Sequence, residues 1–193
     1  MIIIKYANVV KHENGEPMAT ADLLLHPVRL RIVQAFLGDR TLTTADLRTE
    51  LPDVPVATLY RHVGVLAEAG VLAVVGERKV RGAAERSYRL VTEAASVGAT
   101  AAAAMSVDDH RRAFATFVAA LLADFDRYAD AAAGPGLDPA ADGVGYRQVA
   151  LWLDDEEFTA LVTELREVLT ARLALGPDGV RRRRIVSQVF LPG

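Results

Sequence analysis

The chain has 193 residues, 51% of them hydrophobic and 24% charged, with a net charge of −3; this suits one domain or two small ones and excludes a disordered polyelectrolyte. It contains no cysteine, so disulfide scaffolds, thiolate metal centres and thiol nucleophiles are excluded. No run approaches the roughly 20 apolar residues of a membrane span and no secretory leader opens the chain, so a cytoplasmic protein without a membrane partner is expected.

Residues 1–17 differ from the rest. They hold both asparagines, Asn8 and Asn14, and two of the three lysines, Lys5 and Lys11. The expectation is that Met18 is the natural start and that 1–17 is a non-native or disordered leader, although 1–10 could form a short strand.

From residue 18 the pattern turns helical. Pro27 suits the first turn of a helix, and Leu30, Val33, Phe36 and Leu37 recur at helical spacing, which predicts a helix over 26–37 ended by Gly38 and Asp39. Thr43 and Asp46 form a capping pair for a second helix ending near Leu51. Pro52, Asp53 and Pro55 then enforce a tight turn. A third helix is predicted over 56–69, with Leu59, Val63 and Leu66 on its buried stripe and Gly70 as its stop. Beyond Gly70 the period changes. Residues 71–77 read as a strand, 78–85 as a polar loop and 86–91 as a returning strand, a hairpin with a basic tip. Three short helices with a tight turn between the second and third, followed by a hairpin, describe a winged helix–turn–helix over 18–95.

The charges along this part are uneven. Residues 55–90 carry six basic side chains against three acids, Glu68, Glu77 and Glu85, whereas beyond Ala95 ten basic residues face fourteen acids. A local positive field of this kind suits double-stranded DNA despite the acidic total. A recognition helix turns its N-terminal residues to base edges. With Leu59, Val63 and Leu66 facing inward, the candidates are Val56, Ala57, Thr58, Tyr60 and Arg61. Arg61 suits a bidentate contact to guanine, Thr58 and Tyr60 suit phosphates, and Val56 or Ala57 suits a thymine methyl. Arg78, Lys79 and Arg81 at the wing would reach phosphates or a neighbouring minor groove. The structural alternative is a solvated basic face, with Tyr60 covering the helix edge and Glu85 neutralising Arg86. His26 and His62 lack a third ligand at metal spacing; His26 reads as a helix-start residue and His62 as partly buried or backbone-bonded.

The stretches HPVRLRIVQAFL (26–37), VPVATLYRHVGVLAEAGVL (54–72) and ERKVRGAAERSYRL (77–90) resemble ArsR-type winged-helix transcriptional regulators, in particular the branch lacking metal-binding cysteines. The resemblance covers about a third of the chain. It implies a dimeric, sequence-specific DNA-binding repressor, while thiolate metal sensing does not carry over.

The remainder, 96–193, is expected to form an α/β dimerisation and effector unit. Residues 92–105 are predicted helical. Ser106, with Asp108 and Asp109, opens a long helix whose apolar face is Phe114, Phe117, Val118, Leu121, Leu122, Phe125 and Tyr128, suited to core packing or to the same helix of a second subunit. Residues 131–145 read as a loop and 146–153 as a strand containing the sole tryptophan, Trp152. Asp154 caps a helix with the stripe Phe158, Leu161, Val162, Leu165, Val168 and Leu169, and 184–191 reads as a final strand. The acids at 154–157 suit a helix start, and the arginines at 181–184 suit a solvated strand start.

The expected class is thus α+β: an N-terminal winged helix–turn–helix, a helical linker and dimerisation helix, and a small strand–helix–strand unit. The expected partners are DNA, a second copy of the chain and an unidentified small-molecule effector. The competing reading is a winged-helix protein–protein interaction module without DNA binding. No nucleophile motif, glycine-rich phosphate loop or metal-ligand constellation is present, so neither catalysis nor a cofactor is expected.

Overall fold

The computed structural model describes residues 23–80, 83–132 and 136–193; the leader at 1–17 and Arg81 lie outside them. The chain is α+β, and the first elements follow from local chemistry. His26 caps helix α1 (Pro27–Ala35), its Nδ1 accepting from the Val28 N–H at 3.2 Å, and Pro27 occupies a position whose N–H would have no helical partner. After α1 the backbone turns through left-handed Gly38 and Asp39, conformations that glycine and aspartate tolerate best.

Thr43 and Asp46 close a reciprocal capping box on α2 (Thr44–Glu50). The Asp46 carboxylate accepts from the Thr43 N–H and hydroxyl, both at 2.8 Å, and these bonds hold its pKa below the usual carboxylate value. Helix α3 (Val56–Glu68) ends at Gly70, whose N–H reaches the Ala67 carbonyl while the Val71 N–H reaches that of Leu66. This paired closure needs a left-handed residue at position 70, and Gly70 supplies it with φ +72°.

The sheet is antiparallel, in the order β1–β3–β2, from β1 (Thr41–Thr43), β2 (Leu72–Val80) and β3 (Ala83–Leu90). Strand β1 is absent from the sequence reading. Three residues ahead of a helix cap show no alternation, and only pairing of Thr41 with Arg89 and Thr43 with Ser87 reveals the strand. The hairpin strands are also longer than expected. Arg78 and Glu85, assigned above to a loop, stand directly opposite each other in the ladder, as do Glu77 and Arg86. Opposite charges across a ladder support it, so a polar run disguised the strand ends.

Phe36, Ile32 and Val33 of α1, Leu47 of α2, the α3 stripe, and Val71, Leu72 and Tyr88 of the hairpin region share one buried core. Ala95, Val97, Ala101 and Ala102 join it, so packing continues past the boundary expected at residue 95. Within 92–105 only α4 (Ala99–Ala104) is helical.

Helix α5 (Val107–Ala132) buries Ala113, Thr116 and Ala120, and the Thr116 hydroxyl donates to the Leu25 carbonyl at 3.3 Å. Of the apolar stripe expected to pack in a core or against a second subunit, Phe117, Val118 and Tyr128 are half-buried, while Phe114, Leu121, Leu122 and Phe125 are exposed in one chain. The small residues of α5 form its buried face.

By contacts within the chain, one compact unit ends at Ala131 and a second comprises 132–193. The second holds helix α6 (Asp155–Leu173), opened by the expected Asp154 cap in a reciprocal box with Glu157. Among the described residues neither 146–153 nor 184–191 joins a ladder, contrary to the strand pattern of both segments. Among the described residues no helix is long and apolar enough to cross a membrane.

Candidate nucleic-acid interface

Helix α3 is built as the sequence requires of a reading helix. Leu59, Val63 and Leu66 are at most 2% exposed. This rotation leaves Val56, Ala57, Tyr60 and Arg61 exposed and Thr58 half-buried, all in the N-terminal half. Unlike α2, α3 has no side-chain cap: Pro55 precedes it and offers no side-chain acceptor, so its first N–H groups are not taken up by a capping side chain.

Two ion pairs hold the helices before α3. Arg31 of α1 grips Asp53 bidentately, with both bonds at 2.7 Å. The pair depresses the Asp53 pKa and raises that of Arg31, and it fixes the turn between α2 and α3. Arg40 bridges Glu50 at 2.5 Å and donates to the Ala35 carbonyl. Neither pairing was predicted, although oppositely charged residues flanking two helix ends are the signal that would have prompted it.

The wing presents Arg78 and Lys79 on β2, both exposed, but they differ in their partners. Arg78 is bonded to Glu85 at 2.7 Å and Arg86 to Glu77 at 3.2 Å, which replaces the Glu85–Arg86 neutralisation expected above. Arg89 is bonded to Asp39. Among the described residues, Lys79 and Arg61 form no ion pair. The structure therefore separates cations already paired within the fold from two that carry no such partner.

Beneath the reading helix lies a feature the sequence did not suggest. The His26 and His62 rings lie against each other, tilted by 47° with centroids 4.3 Å apart, joining the start of α1 to the middle of α3. His62 is buried, and neither ring nitrogen has a hydrogen-bond partner among the described residues. Its burial, with His26, Arg61 and Arg29 nearby, lowers its pKa below the ordinary 6.5; burial and the two arginines do the same for His26. Because His26 Nδ1 accepts the Val28 bond, its proton sits on Nε2, and a second proton would break the cap.

The sign of the pH effect follows. Above pH 6.5 both rings are neutral whether folded or not. As the pH falls below that, the unfolded chain binds protons that the fold refuses, and stability declines towards the depressed folded values. His62→Phe keeps a ring against His26 and is expected to reduce the loss of Tm between about pH 7.5 and about pH 5.5. Thermal melts at the two pH values check this; equal losses in both proteins would exclude His62 as a source.

A cleft of about 520 Å³ lies between the start of α1 and α5, lined by Leu25, His26, Pro27, Arg29, Arg112, Ala115 and Thr116. Among the described residues no group of three metal-ligating side chains gathers anywhere.

A protein-family model described as a helix-turn-helix domain matches residues 24–75. The chain carries a helix-turn-helix domain. The match begins just before α1, takes in all of α1, α2 and α3, and ends within β2. A helix-turn-helix domain is a DNA-binding module of transcription regulators, in which the second helix of the pair enters the major groove and the first crosses the backbone. Here those two helices are α3 and α2. The helix-turn-helix match does not extend to β3 or to the C-terminal unit. A search of curated proteins finds no significant match to the chain.

Proposed function

We propose that this protein is a sequence-specific transcriptional regulator of the ArsR-like winged-helix kind, acting as a homodimer and as a repressor. The observation that carries the reading is the two-sidedness of α3: a stripe sealed into the core, Ala57 and Arg61 exposed on the side away from it, and Val56 and Tyr60 exposed at the N-terminal end of the helix. In this reading Arg61 reads a base, Thr58 and Tyr60 bond phosphates, and Val56 or Ala57 meets a thymine methyl. Lys79 and Arg78, with Arg81 beyond the described residues, hold the flanking backbone. The open apolar face of α5 supports a dimer, since a patch carrying Phe114, Leu122 and Phe125 is costly to leave in water. The cleft at α1 and α5 would offer an anionic small-molecule effector Arg29, Arg112 and His26. No catalytic step is assigned to the protein.

The test is selection of bound fragments from sheared genomic DNA by the purified full chain, followed by titration against salt. A two-fold symmetric site is expected, with half-sites about one helical turn apart and affinity falling steeply as salt rises. Absence of enrichment would overturn the reading. It would favour a protein-interaction module instead, which the Arg78–Glu85, Arg86–Glu77 and Arg89–Asp39 pairs also support, because they reduce the positive field of the wing.

The same titration distinguishes the wing cations. Lys79→Ala is expected to weaken binding to specific and scrambled duplexes alike and to lower the salt slope by about 1. Arg78→Ala is expected to do less, because Arg78 must share its charge with Glu85. Anisotropy titrations at several salt concentrations measure both; an unchanged slope for Lys79→Ala would remove Lys79 from the contact.

A further inference from the structure

The C-terminal unit does not bury its own apolar groups. Among residues 136–193 none is buried, and Phe158, Leu161, Val162, Leu165 and Leu169 of α6 are at most half-buried. A helix with one apolar stripe is stable only against a second layer. Residues 144–153 and 181–193 contain no turn and no bend, and no non-glycine residue in them has positive φ. Both segments are therefore extended, yet among the described residues neither joins a strand ladder. An extended segment with an unpaired backbone is a template for strand addition.

The side chains say what kind of sheet is missing. In an extended segment alternate residues face opposite ways. Phe190 lies edge-on to Phe158 of α6, with centroids 5.9 Å apart, so one face of the last segment rests on the helix. The opposite face carries Ile185, Val189 and Leu191, all exposed. In the earlier segment Val149, Leu151 and Leu153 share one face, and fully exposed Trp152 stands on the other. Strands apolar on both faces belong to sheets covered on both sides, and the single helix of this unit covers one.

We propose that residues 146–153 and 184–191 complete a β-sheet with the same segments of a second copy of this chain. This deepens the dimeric reading above and rests on it for the partner, but it does not depend on DNA recognition. A second copy has the same open edges and the same uncovered face, so a two-fold contact satisfies both at once. The charges agree. Asp155 and Glu156 follow the Asp154–Glu157 cap at the start of α6, and Arg182 and Arg183 stand in the basic run at 181–184, whose ends are held by Asp178 and the Asp142 carbonyl. A two-fold arrangement that brings the acidic start of one copy to the basic run of the other is self-complementary.

The sole tryptophan reports directly on this sheet. Sedimentation of the full chain over a concentration series, with Trp152 emission read on the same samples, is expected to show a dimer whose emission shifts to the blue in step with its population. Proline at Ser187 or Gln188 removes one ladder N–H, and adjacent residues donate to opposite edges, so one of the two must interrupt the pairing. Ser187→Pro or Gln188→Pro is expected to weaken the dimer by roughly tenfold or more and to return Trp152 to solvent-exposed emission. Hydrogen exchange on the unaltered chain provides a reading independent of both variants: amides of 146–153 and 185–191 should be protected in the dimer. A chain that remains monomeric, or a dimer with unshifted Trp152 emission and rapidly exchanging amides there, overturns the proposal. Fragment selection on DNA is scored separately, so either reading can fail alone.

Discussion

Arg61→Ala is expected to weaken binding to the selected site by about 1–3 kcal/mol, roughly five- to 150-fold, and to relax base preference at one position per half-site. Arg61 lies in the N-terminal half of α3, it is exposed, and it forms no ion pair among the described residues. Its guanidinium can therefore engage a guanine edge without first breaking a bond inside the protein. Arg61→Lys separates charge from shape: it keeps the phosphate-like attraction and the salt slope but loses the planar fork, so base preference should fall while non-specific affinity stays. Thermal stability should be close to that of the parent in both variants, because exposed substitutions without buried partners usually stay within about 0.5 kcal/mol. Selection with randomised half-sites checks preference, and a melt checks stability. If Arg61→Ala left affinity and preference unchanged, α3 would not be reading bases through this residue.

Leu59→Ala is expected to act in the opposite way, on the fold and not on the contact. Leu59 is fully buried on the stripe that turns α3 against the core. Truncating it removes apolar contact and leaves a void, a loss of about 2–5 kcal/mol. That corresponds to a fall in Tm on the order of 10 °C for a domain of this size. Val56→Ala, one turn earlier on the same stripe but exposed at the start of the helix, should change stability by no more than about 0.5 kcal/mol. Denaturant titration of the two variants compares them directly. Similar losses in both would contradict the assigned exposure of the first turn of α3, and with it the place of Val56 among the residues offered to DNA.

Much of the N-terminal unit was legible because its signals are local. The Thr43–Asp46 box, the cap supplied by His26, the stripe of α3 and the stop at Gly70 are each written within three or four residues, the reach of one helical turn. They have the same meaning in any helical context. The boundaries of the hairpin were less legible. A shift in register between Val74 and Gly76 gives β2 one extra residue, and a shift of one residue changes which side chains meet. That is why Glu85 stands opposite Arg78 and bonds it.

Two further features required contacts distant in the sequence. The Arg31–Asp53 pair and the His26–His62 contact join residues 22 and 36 positions apart, and no short window contains both members. In α5 the sequence marked the apolar face correctly as apolar but did not say what would cover it: Ala113 and Ala120 pack inward while Phe114 and Phe125 remain open. The C-terminal segments share this ambiguity, since alternation shows that a chain is suited to a strand without naming its partner.

The sequence alone thus determined the helices, their caps, the buried side of α3 and the side chains it leaves exposed, because these depend on chemistry within a few residues. The tertiary structure decided which cations are neutralised, where the sheet gains its third strand and which apolar faces one chain leaves open. Those outcomes depend on register and on close packing between distant segments, and a single shifted residue or one small side chain at a contact is enough to change them.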